Sequence, residues 1–276
     1  MKTLYVTDLD GTLLDKTGRV SSGTLRALDA LYEKGVLISP ATGRSHNTLG
    51  VLRGARFSAP YVLLNGSRIW DAQAQRVLSE HTFSGEDACY MLSALKAAGL
   101  SPYLYTQNAQ DEQCIYYERS SDENALAYAK LQLEKGDNRF HMVEHFEEKL
   151  QEKKFFITVR GEVTLLQRLL EDFLSRGLHA YLYYGVQLKG ICFLECAPST
   201  KAQGVEELRR ITGAQRVVAF GDNGNDEKLL QAADVRIAVE NATDGLKAQA
   251  HRIIGTNDTD SVVKTICEME GLTWNF

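Results

Sequence analysis

The sequence predicts an α/β fold: a doubly wound parallel sheet with an α+β segment inserted into it. Three observations predict it. At both ends of the 276-residue chain, short runs apolar on both faces alternate with segments of helical periodicity. That is the pattern of strands covered by helices on both sides. The stretch from about 83 to 186 breaks the pattern, with tyrosine-rich alternating runs and a strongly amphipathic helix. Finally, acidic residues stand where the first and a late apolar run end, the edge at which an open parallel sheet binds its ligands.

The elements follow in order. LYVTD (4–8) is a strand. Over 20–33, Leu25, Leu28, Leu31 and Tyr32 recur at helical spacing; Ser21 or Ser22 can cap the start and Gly35 stops the helix. VLISPA (36–41) is a second buried strand, and a helix follows over about 45–53. YVLL (61–64) is a third strand, Asn65-Gly66 marks a turn, and RIWD with RVLSEH reads as a hairpin. Near the C-terminus, ICFLECA (191–197) resumes the core as a strand, followed by a helix at 201–211, the strand RVVAFGD (216–222) and a helix at 226–233. VRIAV, a helix from about Thr243, a short strand at RIIG and a last helix from about Asp258 complete it.

The middle is α+β in character. A helix opens on the capping-box-like Ser84-Gly-Glu-Asp87 and ends at Gly99. The strands SPYLYT and CIYYE, a polar helix at 122–134 and a charged stretch at 136–154 come next. FFITVR, the helix EVTLLQRLLEDFLSR and the strand HAYLYYG close the segment. The expected organisation is therefore a core of 1–82 and 187–276 around an insert of 83–186.

Composition narrows the function. With 44% hydrophobic and 24% charged residues the chain has an ordinary soluble globular composition. A net charge of -5 argues against nucleic acid, whose phosphate backbone calls for a basic surface. No run approaches the length of a membrane span, and Met1-Lys2 leads straight into a strand with no secretory signal. The five cysteines (Cys89, Cys114, Cys192, Cys196, Cys267) are scattered without a CxxC pair and read as reduced core thiols. A cytoplasmic protein, a monomer or weak homodimer, is expected.

Four strand ends carry the chemistry: Asp8 and Asp10, then Thr42-Gly43-Arg44, Lys201 at a helix start, and Asp222 with Asp226 in GDNGND. Carboxylate and carbonyl oxygens suit a hard cation, Mg2+ in particular. Hydroxyl, glycine N–H, amide and ammonium groups suit phosphate oxygens. An ionised aspartate aligned by a cation can attack phosphorus. A second carboxylic acid, its pKa raised by its surroundings, can protonate the leaving alkoxide and then activate water.

DLDGTLLD at 8–15, ATGR at 41–44, Lys201 with Gly204, and GDNGND at 221–226 together resemble the four ordered motifs of the haloacid dehalogenase-like phosphatases. The mid-chain insert resembles the class IIB cap of the Cof-type subfamily. The resemblance spans essentially the whole chain. It implies a Rossmann-like core with Asp8 as nucleophile and Asp10 as general acid/base. Mg2+ would rest on the Asp8 carboxylate, the Asp10 backbone carbonyl and Asp222. The phosphoryl group would be held by Thr42, Gly43, Lys201 and Asn225 with the Leu9 N–H nearby. Asp226 would orient Lys201 or metal-bound water, and the cap would set the specificity. The implied activity is Mg2+-dependent hydrolysis of a small phosphorylated metabolite, a sugar phosphate or a phosphorylated cofactor. A phosphotransferase or phosphomutase sharing the aspartyl-phosphate, or a non-catalytic phosphate sensor, is the alternative.

Other patterns weigh less. A glycosyltransferase D-x-D site does not fit a pair that ends the first strand and is answered by a second acidic motif far downstream. His141-Met-Val-Glu-His145 spells an inverted zinc-peptidase pattern, yet it lies in a highly charged segment without a supporting shell. Arg44 and His46 stand where they can reach a substrate. The cap tyrosines 103, 105, 116, 117, 181, 183 and 184 alternate along their strands, so one set packs and the other can face a cleft, with sheet packing the preferred reading.

Overall fold

The computed structural model describes residues 1–184 and 191–274. They form two compact units, Met1–Glu80 with Ser199–Phe276, and His81–Pro198.

The first unit begins with β1 (Thr3–Thr7), whose residues after Thr3 are buried. Helix α1 (Ser22–Glu33) is capped by Ser21, which accepts from the Thr24 N–H, and it buries Ala27, Leu28 and Leu31. β2 (Leu37–Pro40) then pairs with β1 in parallel. The helix expected at 45–53 is instead a 3-10 segment, His46–Leu52. Gly50 lies inside it, and the Thr48 hydroxyl donates back to the Ser45 carbonyl at 2.9 Å, which favours a tight turn over an α-helix. β3 (Tyr61–Leu63), β4 (Arg68–Asp71) and β5 (Arg76–Glu80) form a separate three-stranded antiparallel sheet. Among the described residues, the third core strand expected at 61–64 pairs with the parallel strands only by an isolated bridge, Ala41 to Val62.

The second unit carries α2 (Gly85–Ala97), β6 (Tyr103–Gln107), β7 (Gln113–Glu118), α3 (Glu123–Glu134) and β8 (Phe140–Val143). β9 (Lys153–Glu162), α4 (Val163–Ser175), β10 (Ala180–Tyr184) and β11 (Ile191–Cys196) complete it. The strands form one six-stranded sheet in the order β10-β11-β9-β6-β7-β8, with only β7 and β8 parallel. One face packs on α2 and α4: Leu104, Tyr116, Ile157, Val159, Leu194 and Cys196 meet Met91, Leu95, Leu166 and Phe173. On the other face Tyr103, Ile115 and Tyr117 pack with Ala125, Ala129 and Phe140.

The expected core strand at 191–197 therefore belongs to this antiparallel sheet, between β10 and β9. Its Cys192, Leu194 and Cys196 are fully buried. Phe193 and Glu195 occupy the opposite face, where Phe193 passes for a second buried side in the sequence. The expected domain boundary at 186/187 lies outside the described residues, and the units divide after Pro198.

The chain then completes the first unit. α5 (Lys201–Thr212) starts on a capping box made by Thr200 and Gln203 and ends at the left-handed Gly213. β12 (Arg216–Gly221), α6 (Glu227–Ala232), β13 (Val235–Val239), α7 (Asp244–Gln249), β14 (Arg252–Ile254) and α8 (Ser261–Met269) follow. Asp226 falls in a 3-10 turn, Gly224–Asp226, ahead of α6 rather than inside it. The parallel sheet has the order β14-β13-β12-β1-β2. The chain moves from β1 to one side and resumes at β12 on the other, so the switch point lies between these two strands.

Gly66 joins the pieces of this unit. At φ +95°, an added Cβ would stand 1.9 Å from the Thr200 carbonyl oxygen at the head of α5. Gly35, at φ +71°, has open space around it. Gly35→Ala should cost only left-handed strain, about 1–2 kcal/mol. Gly66→Ala should exceed it, at about 3 kcal/mol or more, because overpacking is added. Urea denaturation of the two variants checks the order; equal losses would contradict the close approach.

Candidate active site

The switch point brings two strand ends together. Asp8, just past β1, donates its N–H to the Phe220 carbonyl of β12 at 3.0 Å. Asp222 follows β12 directly and accepts a hydrogen bond from the Thr12 hydroxyl at 3.0 Å. Between them runs Gly11 at φ +85°, where a Cβ would stand 2.4 Å from an Asp222 oxygen. Only glycine allows this approach.

Lys201 opens α5 and is fully buried in its side chain. Its ammonium donates to Asp8 at 2.5 Å and to Asp226 at 2.7 Å. Burial alone would strip its proton, but Asp226 and Asp8 hold its pKa above the ordinary lysine value. A cation at a helix N-terminus, unfavourable by the helix dipole, is stabilised here by two carboxylates. Asp226 is also fully buried. Its second oxygen accepts the N–H groups of Asp222 at 3.0 Å and Asn223 at 3.2 Å.

Asp8, Asp222 and Asp226 each place one oxygen within 4.8 Å of the others. Both Asp226 oxygens are taken by donors, so Asp8 and Asp222 are the carboxylates with capacity for a cation. The electrostatics fit one. Burial pushes the Asp8 carboxyl well above the usual carboxylate range, against the pull of Lys201, and Asp226 and Asp222 add to the rise. Burial and then Asp226 push Asp222 up to about 7. Close-set, dehydrated carboxylate oxygens with excess negative charge suit a hard divalent ion.

Asp10 lies apart from this cluster. Its two oxygens accept from Arg44, Nε at 2.7 Å and Nη2 at 2.6 Å, and its side chain is 48% exposed. What its carboxylate meets is the Arg44 guanidinium, in a two-pronged pair. Arg44 is held by this pair and by the Thr48 carbonyl at 3.3 Å. Its own pKa is raised by the hydrogen bonds to Asp10.

The expected phosphate ligands sit around these residues. Thr42 is buried; its N–H donates to the Val62 carbonyl at 2.9 Å, and its hydroxyl oxygen accepts the Arg44 N–H at 3.1 Å. Leu9 is buried in the tight turn after Asp8. Gly43 faces Asn65, whose amide nitrogen would lie 3.2 Å from an added Cβ. The Asn225 amide donates to the Asn65 side-chain oxygen at 3.3 Å.

The Asn65 N–H also donates to the Thr42 carbonyl at 3.0 Å, so Asn65 is bonded to Thr42 and Asn225 and lies against Gly43, a role that its sequence context as a turn does not announce. In the sequence only the Asn65-Gly66 dipeptide marks the place; the structure shows Asn65 at φ +53° beside Leu64 at φ +52°, an unusual pair of left-handed residues. Asn241 was likewise missed. Its amide donates to the Gly11 carbonyl at 2.7 Å and fixes the loop after β1.

Other candidates resolve into packing. The His46 ring stacks on Trp70 at 4.9 Å between centroids, and burial, then Arg68, lowers its pKa. In the zinc-like pattern, His141 leans on the Tyr116 ring, Glu144 pairs with Arg119 at 2.6 Å and His145 caps the turn Phe146–Lys149. Glu118, near His145 and Glu147, is already engaged by Lys96 at 2.7 Å and the Phe146 N–H at 3.0 Å. Cys114, Cys192, Cys196 and Cys267 are buried free thiols, and Cys89 is partly buried. Among the described residues no helix is long and apolar enough to cross a membrane.

Comparison with known proteins agrees with this geometry. The sequence model of a family described as haloacid dehalogenase-like hydrolase matches residues 5–266. The chain is 27% identical over 280 residues to the pyridoxal phosphate phosphatase YbhA of Escherichia coli, covering 94% of this chain and 95% of that protein. It is 26% identical over 298 residues to the 5-amino-6-(5-phospho-D-ribitylamino)uracil phosphatase YwtE of Bacillus subtilis, covering 98% of each. Among solved structures, a haloalkanoate-superfamily phosphatase from Bacteroides thetaiotaomicron superposes with a TM-score of 0.79 at 20% identity, covering 99% of this chain and 96% of that one. At that identity the likeness concerns the fold alone.

The excess negative charge has a measurable consequence. With a folded pKa of about 7 against the ordinary value near 3.8, Asp222 binds its proton more tightly in the native state. Without a cation it therefore destabilises the fold increasingly as pH rises from about 4 through 7. Asp222→Asn should raise the Tm in EDTA at pH 8, less so at pH 5, and should abolish stabilisation by Mg2+. Thermal denaturation with EDTA or Mg2+ checks it; a lower Tm for the variant in EDTA at pH 8 would refute the charge argument.

Proposed function

The chain belongs to the haloacid dehalogenase-like hydrolases, and from that membership we propose that it is a Mg2+-dependent phosphatase of small phosphorylated metabolites working through an aspartyl-phosphate on Asp8. The observation that carries the reading is the buried Lys201 ammonium between Asp8 and Asp226, with Asp222 beside them. This arrangement supports Asp8 as the nucleophile, with Asp8 and Asp222 the carboxylates that have room for a cation.

The residues then divide the work. Asp8, oriented by Lys201, attacks phosphorus; a P–O bond forms to its carboxylate as the P–O bond to the substrate alcohol breaks. Asp10 gives the departing alkoxide its proton, then takes one from the water that attacks the acyl phosphate. That water restores the Asp8 carboxylate and releases inorganic phosphate. With both oxygens engaged by Arg44, Asp10 must let go of that guanidinium before it exchanges a proton. Thr42, Gly43, Leu9, Lys201 and Asn225 are the proposed phosphate ligands, with Asn65 holding three of them in register. Asp226, saturated by Lys201 and two backbone N–H groups, positions the lysine. Asp8 and Asp222 would hold Mg2+, together with the Asp10 carbonyl. When bound, the cation supplies charge neutralisation between nucleophile and phosphate.

The named relatives act on pyridoxal phosphate and on a phosphoribitylamino-uracil. Both are phosphomonoesters of small ring-bearing alcohols, and we extend that class to this chain beside simple sugar phosphates. Specificity is assigned to the unit formed by His81–Pro198.

Phosphate release from a panel of such esters, with Mg2+ and with EDTA, tests the proposal. Mg2+-dependent release is expected; a folded, Mg2+-binding protein silent across the panel would contradict it. Asp8→Asn should abolish turnover with the fold intact, and residual activity near the parent level would sink the nucleophile assignment. Asp10→Asn should keep Mg2+ affinity and slow turnover by ~10²–10⁴. A loss of Mg2+ affinity as large as that of Asp222→Asn would overturn the division of roles.

A further inference from the structure

The loops after β1 and β2 bring one acid and one cation face to face. Arg44 follows β2, which pairs with β1 in parallel, and Asp10 lies in the tight turn that follows β1. The Arg44 backbone is fixed on both sides: its N–H donates to the Thr42 hydroxyl oxygen at 3.1 Å, and its carbonyl accepts the Leu64 N–H at 3.1 Å. Farther out, Nη1 donates to the Thr48 carbonyl at 3.3 Å. The two-pronged edge of the guanidinium, Nε and Nη2, is the one spent on Asp10. Tethered in this way, Arg44 can exchange the partner of that edge without moving its base.

Lys201 and Arg44 are not equally committed to their partners. Lys201 is buried between two buried carboxylates, Asp8 and Asp226, and breaking a buried pair leaves an uncompensated charge. The Asp10 side chain is half exposed, so water takes over the hydrogen bonds it gives up. Arg44 is therefore the cation that can be surrendered at little cost. It also lies within electrostatic reach of the nucleophile: the hydrogen bonds to Asp10 raise its pKa most, burial opposes the rise, and the charge of Asp8 adds to it. A phosphoryl group approaching Asp8 carries close to two negative charges at neutral pH, against one on a carboxylate. A guanidinium fork fits either anion with both prongs.

We propose that Arg44 is shared between Asp10 and the substrate: an incoming phosphate dianion draws the fork off Asp10 and takes its place, so that binding itself frees the acid. The inference rests on the phosphatase reading and adds Arg44 to the phosphate ligands. Without phosphate, Arg44 holds the Asp10 carboxylate in place and balances its charge. Once phosphate holds the guanidinium, both Asp10 oxygens are open to the leaving alkoxide and then to water. Departure of inorganic phosphate returns Arg44 to Asp10. Carboxylate and phosphate are thereby competitors for one cation, and that competition can be measured without turnover.

Titration of the full chain with inorganic phosphate in saturating Mg2+, by calorimetry or phosphorus NMR, tests the competition. Arg44→Met should weaken phosphate about tenfold, the scale of one charge-assisted hydrogen bond. Arg44→Lys keeps the charge and loses the fork, so it should recover part of that loss. Asp10→Asn should tighten phosphate by about two- to fivefold, the worth of the exposed pair it removes. In the Arg44→Met background the same Asp10→Asn change should bring a smaller gain. Simple repulsion between Asp10 and phosphate predicts the reverse, a gain at least as large once Arg44 is gone, and that result would overturn the proposal. Parent-like phosphate affinity in Arg44→Met would overturn it too. No phosphate binding by the parent chain in Mg2+ would instead overturn the phosphatase reading, and this inference with it.

Discussion

The buried ammonium of Lys201 between Asp8 and Asp226 is the interaction around which the first unit is arranged. Three buried or half-buried carboxylates surround one lysine, so the pair is not a closed ion pair but a charged centre with negative excess. Taking such groups out of water costs several kcal/mol per ion before their mutual attraction is counted. Hydrophobic burial elsewhere has to outweigh that cost. The strands that deliver the charges do so: Leu4, Val6, Val217, Val218, Ala219 and Phe220 are all fully buried. Buried, mutually perturbed charges of this kind are concentrated at functional sites.

Backbone approach is the second constraint, and it follows from the first. Asp8, Asp222 and Asp226 converge because the chain has no Cβ at the points where their carriers touch. At Gly11 a Cβ would collide with Asp222, and at Gly221 with Asp226 at 2.5 Å. At Gly204 it would meet Val62 at 2.6 Å and the Gly66 backbone at 2.9 Å, where α5 presses against the Asn65 turn. The same closeness aligns Asn65 with Gly43 and Asn225. Glycines in this unit therefore mark contact between pieces distant in sequence as much as they mark turns.

These contacts explain what the sequence could and could not tell. Asp8, Lys201, Asp222 and Asp226 were legible because each follows or opens a strongly patterned element, and a parallel sheet sends all such ends to one edge. The first and late strands were legible for the same reason. Asn65 and Asn241 were not: each acts through a hydrogen bond to a residue far along the chain, and no local periodicity records such a partner. The pairing of Asp10 with Arg44 was hidden too. A carboxylate and a guanidinium on neighbouring strand ends can meet each other or a ligand equally well, and only the described geometry decides. At 191–197 the pattern misled, because Phe193 is apolar on the face away from the α2–α4 core and makes a half-buried strand read as a fully buried one.

That same Phe193 shows why the inserted unit is built with two unlike faces. The side toward α2 and α4 is filled by Leu104, Ile157, Val159 and Leu194, all essentially inaccessible, and it gives the unit its stability. On the opposite side α3 covers Tyr103, Ile115 and Tyr117. Farther along, the sheet keeps aromatic rings next to polar groups such as Tyr181, whose hydroxyl donates to Glu195 at 2.6 Å. Tyrosine serves here because its ring fills space while its hydroxyl reaches a polar partner, the Ala125 carbonyl for Tyr103 and Glu195 for Tyr181. The two-residue period of a β-strand sends aliphatic side chains to one face and aromatic ones with a polar tip to the other within the same few residues.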